Sequence, residues 1–279
     1  MMAATTRGLH RLWGEPPWVF DDPLALVLVG PAWKGLRDEL VDRLGDDLFQ
    51  RTTALVVGRA RCTEDRLMAG EFEQYVVLGA GLDSFAWRRP DALARGLRVF
   101  EVDHPTSQAW KLARVEALGL PQSDRHVFVP VDFEVDTVAV GLDRAGFDWR
   151  KRTFFSWLGV VPYLTVDAVE ATLRSLARAG PGSEIALTYL IAESLMEDVG
   201  HTMLDRFGGL AAGVGEPFRT MWTPAEAEAC ARRCGLDVAA HPSRAEIEAR
   251  YFAGRADGLA PFTFEQFLVA AVGGRAGPA

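Results

Sequence analysis

The chain is poor in cysteine. Its three, Cys62, Cys230 and Cys234, cannot make a disulfide framework, and no Cys/His spacing matches a structural zinc site. A reducing cytoplasm is therefore the expected setting, with Cys230 and Cys234, four apart on a predicted helix, read as part of its apolar face. Lysine is scarcer still for its charge class: Lys34, Lys111 and Lys151 stand among 30 basic residues, so 27 are arginines, a group suited to planar contacts with carboxylates. Positive charge is not in excess, because Lys+Arg 30 against Asp+Glu 38 leaves −8. That balance speaks against nucleic acid or an anionic membrane surface as a partner. Long apolar runs are missing too: Leu24 to Trp33, the longest, falls short of the ~20 residues that span a bilayer, and Met1 to Trp13 has no apolar core of a secretory leader. What is present, 49% hydrophobic and 24% charged residues over 279 positions, can bury a core of ordinary globular size.

Residues 1–70 read as a helical extension or lid, without a convincing strand. Asp22 and Pro23 open a helix through Leu24 to Val29, and Pro31 breaks it. From Gln74 onward short apolar runs alternate with helical stretches, the pattern of a parallel α/β sheet. The predicted strands are Tyr75 to Leu78, Leu97 to Val102, His126 to Val131, Thr153 to Trp157 and Ser183 to Tyr189. A helix is expected from Thr165 to Ala179, stopped by Gly180, and another from the Thr223-Pro-Ala-Glu226 start to Gly235. Leu236 to Ala239 follows it, and Phe262 to Val272 is apolar enough for a last strand or helix. Residues 71–279 thus read as one core.

Leu78-Gly-Ala-Gly-Leu-Asp-Ser84 directly follows the first strand, where doubly wound sheets bind nucleotides. Ser84 occupies the place of the third glycine of a dinucleotide fingerprint, and Asp83 lies in the turn that would cradle a pyrophosphate. An anion there repels two phosphates but tolerates a ligand with an ammonium, a sulfonium and one carboxylate, as in S-adenosylmethionine. This disfavours an NAD-dependent oxidoreductase. The second strand ends in Glu101-Val-Asp-His104, placing Glu101 and Asp103 where carboxylates accept hydrogen bonds from ribose hydroxyls, with His104 in the exit turn. Asp132 and Phe133, after the third strand, can serve an adenine amino group and ring. Upstream, Arg59 and Arg61 offer two guanidinium groups to a ligand carboxylate.

In order, Phe20-Asp-Asp-Pro-Leu-Ala25, Arg59 to Asp65, Gln74 to Asp83, Phe100 to Pro105, Val131-Asp-Phe133 and Gly159-Val-Val-Pro-Tyr-Leu164 resemble the leucine carboxyl methyltransferase-like class I S-adenosylmethionine-dependent methyltransferases. The likeness spans about residues 20–270 and is greatest to an actinobacterial branch that includes carboxyl O-methyltransferases of polyketide acids. It implies a Rossmann-like, mostly parallel seven-stranded sheet with a helical N-terminal extension. By the same resemblance Arg59 holds the methionine carboxylate, with Arg61 the alternative two residues on. Gly79, Ala80, Gly81 and Asp83 form the cofactor loop, Asp103 with Glu101 and His104 serves the ribose, and Asp132 and Phe133 flank the adenine. Trp157, Leu158 and Gly159 complete the site after the fourth strand. The family usually has Glu-Gly where this chain has Leu158-Gly159, which removes a polar contact near the methionine amino group.

Methyl transfer from a sulfonium requires alignment and exclusion of water more than proton transfer. A carboxylate acceptor is already ionised at neutral pH, whereas a phenol with a pKa of ~10 needs a base. No Ser-His-Asp set or metal cluster is visible in the sequence, so hydrolase and metalloenzyme chemistry fall away. The expected function is O-methylation of a small-molecule carboxylate. A hydroxyl acceptor, or cofactor binding without catalysis, stays open. Tyr163, Tyr189 and His201, with Arg206, are the acceptor-side candidates, because ligands sit beyond the carboxyl ends of parallel strands. Trp13, Trp18 and Phe20 either cover the acceptor or pack the extension down. A small-molecule acceptor and a homodimer are the expected partners.

Overall fold

A computed structural model describes residues 1–132, 136–213 and 217–273. Before the first strand come α1 (Met2–Trp13), α2 (Ala25–Val29) and α3 (Trp33–Ala69). Asp22 shapes the turn before α2, its Oδ1 accepting from the Leu24 amide at 3.2 Å, but the N-cap itself is Leu24, without a side-chain cap bond. Pro31 sits in a single 3-10 turn, and the helix resumes at Trp33. Gly45 (φ 74°, ψ 163°) bends α3, and Arg206 caps the bend by donating from Nη1 to the carbonyl of Leu44 at 2.5 Å. That bond uses the arginine expected on the acceptor side.

The alternation then follows as β1 (Gln74–Leu78), α4 (Phe85–Arg88), α5 (Pro90–Ala94), β2 (Arg98–Asp103), α6 (Pro105–Ala117), β3 (His126–Pro130) and α7 (Val138–Arg144). The second half runs β4 (Thr153–Trp157), α8 (Val166–Leu176), β5 (Glu184–Ile191), α9 (Asp198–Gly213), β6 (Met221–Trp222), α10 (Pro224–Arg233), β7 (Asp237–Ala240), α11 (Arg244–Tyr251) and β8 (Glu265–Ala271). The Thr223 start of α10 is a full capping box with Glu226. The ambiguous last apolar segment is a strand, β8.

Strand order is β3-β2-β1-β4-β5-β8-β7, seven strands along one path, with the two-residue β6 added beside the end of β5. Pairs from β3 to β5 are parallel, and β8 runs antiparallel to both β5 and β7. The connections leave β1 in opposite directions toward β2 and β4, which opens a crevice at their carboxyl ends. Two apolar layers flank the sheet. On one face Phe155, Trp157, Leu187 and Tyr189 pack with α7, α8 and α10, burying Cys230 and Cys234 in the same cluster. Burial pushes the Cys230 thiol up to about 12, which suits packing rather than redox chemistry. On the other face Phe154 and Ala186 pack with Cys62 and Leu67 of α3. The predicted boundary near residue 70 does separate helix from strand, yet the second half of α3 is a layer of the sheet's own core.

Candidate functional site

The glycine turn is set by backbone pairing. The amides of Gly79 and Ala80 both donate to the Val102 carbonyl, at 2.9 and 3.1 Å, so the chain folds back over the end of β2. Gly79 has φ +67°, and a Cβ there would lie 2.7 Å from Val160 Cγ2, so both the conformation and the close approach require glycine. Asp103, at the end of β2, accepts from the Gly81 amide at 2.5 Å and from the His104 amide at 2.7 Å. Asp83 turns its Oδ1 back to the Phe85 amide at 2.8 Å, starting α4.

Beneath this turn lies a cavity of about 230 Å³, walled by Arg59, Gly79, Ala80, Gly81, Asp83, Leu158 and Gly159, all anticipated from the sequence. Beside it is a second cavity of about 350 Å³, largely apolar, with Leu40, Phe49, Leu55, Tyr163, Leu190, Met203 and Phe218 in its walls. The two share Met1, Ala3, Val56, Arg59 and Gly159. Tyr163 lies with its ring 5.4 Å from that of Phe218. A larger hollow of about 560 Å³ lies between α1, α3 and the loop at Asp257 and shares Phe49 with the apolar cavity.

Arg59 is the hinge of the arrangement. Its Nη1 donates to both carboxylate oxygens of Glu265, each at 2.7 Å, and the pair is mostly buried. Opposite is Gly159 (φ +68°), whose amide donates to Thr188 Oγ1 at 2.8 Å. A Cβ on Gly159 would lie 2.8 Å from Nη1 and from Nη2 of Arg59, so glycine is needed there to admit the guanidinium.

Several expected site residues are elsewhere, each for an identifiable reason. Arg61 faces outward from α3, pairing with Asp65 at 2.8 Å and lying over the Tyr251 ring. Two positions along a helix turn a side chain by roughly 200°, so Arg59 and Arg61 cannot be interchanged. Glu101 shares a strand face with Asp103 but is two residues short of the strand end. It is fully buried under α6, bonded to Lys111 and, at 2.9 Å, to His126 Nε2. Burial alone would raise its pKa, but Lys111 and His126 outweigh that and hold it below the ordinary carboxylate value. His104 is exposed and caps α6, its Nδ1 accepting from the Thr106 amide at 3.3 Å, while its Nε2 lies 3.9 Å from Asp132. Phe133 lies outside the described residues.

Strand parity corrects two more expectations. On β4, Ser156 and Leu158 reach the smaller cavity, so Trp157 points to the opposite layer and is core. On β5, Leu190 lines the apolar cavity and Tyr189 points away, its hydroxyl 2.9 Å from His241 Nε2 in a chain that continues to Glu228 at 3.0 Å. His201 is 45% exposed on α9, lines neither cavity, and has Glu193 at 3.9 Å. Of the tested aromatics, Phe20 is buried under the Arg88 guanidinium and lines the smaller cavity, while Trp13 is exposed and Trp18 donates to the Gly14 carbonyl.

Other residues enter the site that pattern reading passed over. Arg7 of α1 donates to Asp22 Oδ2 and to the Leu82 carbonyl, both at 2.9 Å, bringing the first helix onto the glycine turn. Glu64 lines the same cavity with both oxygens held by Arg88, and burial pushes its pKa up despite that partner. Tyr75 and Ser156 meet at 3.0 Å in the cavity floor. The Glu64 position, in the run after Arg59, was the one with a readable signal.

Comparison with known proteins places this geometry. The leucine carboxyl methyltransferase family matches residues 1–177. The chain is 35% identical over 192 residues to the "Putative S-adenosyl-L-methionine-dependent methyltransferase YktD" of Bacillus subtilis, covering 68% of this chain and 62% of that protein. It is 33% identical over 204 residues to a "Putative S-adenosyl-L-methionine-dependent methyltransferase" of Mycolicibacterium gilvum, covering 68% and 66%. The matches thus span less than two thirds of these relatives' length. Among solved structures, a DUF574-family protein of Streptomyces avermitilis superposes over 96% of both chains with a TM-score of 0.62 at 17% identity, a likeness of fold.

Proposed function

Because the chain belongs to the leucine carboxyl methyltransferase family, we propose that it is an S-adenosylmethionine-dependent O-methyltransferase acting on a small apolar carboxylic acid. The observation that carries this reading is the shared wall of Met1, Ala3, Val56, Arg59 and Gly159 between a polar cavity under the glycine turn and an apolar cavity beside it. The smaller cavity suits the cofactor because the Gly79-Ala80-Gly81 turn forms its wall, a turn that Asp103 fixes by accepting from the Gly81 amide. Arg59 supplies positive charge for a carboxylate. When bound, the cofactor supplies a sulfonium methyl: as the acceptor O–CH3 bond forms, the S–CH3 bond breaks with its electron pair kept by sulfur, leaving ester and thioether.

No proton moves in such a transfer to a carboxylate, and the apolar cavity is suited to that. Among the described residues its lining contains no histidine, and its Arg59 and Glu265 side chains are bonded to each other through Nη1. Phe49, Phe207 and Phe218 exclude water from the acceptor, and Tyr163 stands in the same wall. A cytoplasmic setting accompanies this proposal as an expectation from cysteine usage, and a homodimer as an expectation without a ground in composition or family. Among the described residues no helix is long and apolar enough to cross a membrane.

Incubation with labelled S-adenosylmethionine and a panel of aryl and alkyl acids and phenols tests the reading. Label released by mild base, as from a methyl ester, is the expected result. A base-stable ether would move the assignment to a hydroxyl acceptor, and absence of transfer together with absent S-adenosylhomocysteine binding would remove the enzyme reading altogether.

A further inference from the structure

The charged pair at the junction has a chemistry that the two cavities alone do not explain. β8 is antiparallel to its neighbours, so its first residue, Glu265, arrives at the edge where the parallel strands end. A residue opening a parallel strand would lie at the opposite edge. The Glu265 carboxylate, in the wall of the apolar cavity, meets Nη1 of Arg59, the member of the pair that reaches both cavities, and among the described residues the hydrogen bonds of the Arg59 side chain all pass through that nitrogen. Nη2 is the edge turned with Nη1 toward Gly159, on the wall of the smaller cavity.

Other charges around that cavity are engaged. Both oxygens of Glu64 are held by Arg88, Asp83 starts α4 through the Phe85 amide, and Arg7 is held by Asp22. A cation with an open edge beside an anion is complementary to a ligand end that carries a carboxylate beside an ammonium. Resting on the cofactor reading above, we propose that Arg59 and Glu265 act as one zwitterion receptor, in which Glu265 binds the α-ammonium of the cofactor's amino-acid end while Arg59 binds its carboxylate.

Calorimetry on the full chain separates this from a role in packing. The probes are S-adenosylhomocysteine, its analogue with the α-amino group replaced by hydrogen, and 5′-methylthioadenosine, which lacks the amino-acid end. The wild-type chain should prefer S-adenosylhomocysteine over the desamino analogue by about tenfold or more, the size of a hydrogen bond to a charged group. In E265Q that preference should shrink to about twofold or less, with 5′-methylthioadenosine affinity unchanged, whereas E265D, which keeps the charge, should retain part of it. A preference undiminished in E265Q overturns the proposal, as does equal loss for all three probes, which would mark Glu265 as merely structural. If E265Q does not fold, an E265D chain without any preference overturns it as well. Failure of the wild-type chain to bind S-adenosylhomocysteine at all would instead overturn the cofactor reading.

Discussion

Replacing Gly159 by alanine tests the junction most directly, because two costs can be worked out separately. The first is conformational: at φ +68° an L-residue costs roughly 1–2 kcal/mol. The second is steric and local. The new methyl would lie 2.8 Å from both terminal nitrogens of Arg59, and the guanidinium cannot retreat without leaving Glu265, a hydrogen bond to a charged group worth about 1.5–3 kcal/mol. Partial relaxation brings the sum to ~2–4 kcal/mol of lost stability. Gly119 is the control, since it has φ +61° but nothing within 4 Å of its would-be Cβ, so Gly119→Ala should lose only the first ~1–2 kcal/mol. Urea unfolding measures both. In parallel, titration with S-adenosylhomocysteine should show affinity lowered about tenfold or more for Gly159→Ala, ~1.4 kcal/mol, and unchanged for Gly119→Ala. Equal destabilisation of the two variants, with S-adenosylhomocysteine affinity unchanged in both, would refute the placement of Arg59 against Gly159.

Other outcomes follow from the same reasoning. Lys111→Met leaves the buried Glu101 with His126 as its remaining side-chain partner and should cost about 3–5 kcal/mol in urea unfolding, with the Lys111→Met, Glu101→Leu double variant recovering much of that; additive losses would contradict the buried pair. His10 is held neutral by burial and by nearby Arg255, its pKa lowered from 6.5 to about 4. The unfolded chain therefore binds the extra proton first, and stability should fall as pH drops from about 6.5 toward 4, a slope that His10→Gln should flatten in a pH series of melting temperatures. Tyr189→Phe should leave methyl transfer intact and cost ~0.5–1.5 kcal/mol by removing the hydroxyl from His241; a collapse of turnover with unchanged stability would return Tyr189 to the acceptor site. Finally, Arg59→Ala should weaken S-adenosylhomocysteine binding while Arg61→Ala leaves it unchanged, and the reverse result would show the helix register to be off by two.

Signals that depend on neighbours in sequence were legible without coordinates. Alternating apolar strands, the Gly79-Ala-Gly81 turn and the Thr223 capping box are local, because backbone sterics and short-range hydrogen bonds determine them. Once the strand before the glycines was recognised, the doubly wound topology placed the turn at the ligand edge. Arg59 and Gly159, which the family resemblance assigned to the cofactor site, do lie on the wall of that cavity.

Depth along a strand and side of a strand were harder. Glu101 and Asp103 have the same parity, but the shorter reach to the strand end leaves Glu101 under α6, where Lys111 and His126 meet it. Trp157 and Tyr189 occur beside cavity-lining residues, and a shift of one position turns each into the opposite apolar layer. Their chemistry as residue types was no guide, because aromatic side chains serve cores and ligand sites equally well.

The sequence by itself determined the α/β alternation, the acidic, lysine-poor composition and the nucleotide-type turn, all consequences of periodicity and residue chemistry. Only the tertiary structure decided who meets Arg59. Its partner is Glu265, 206 positions away, delivered by an antiparallel strand whose direction is a property of the closed sheet. No local pattern encodes that pairing, since a carboxylate opening an apolar strand looks the same whether it faces solvent or a buried guanidinium.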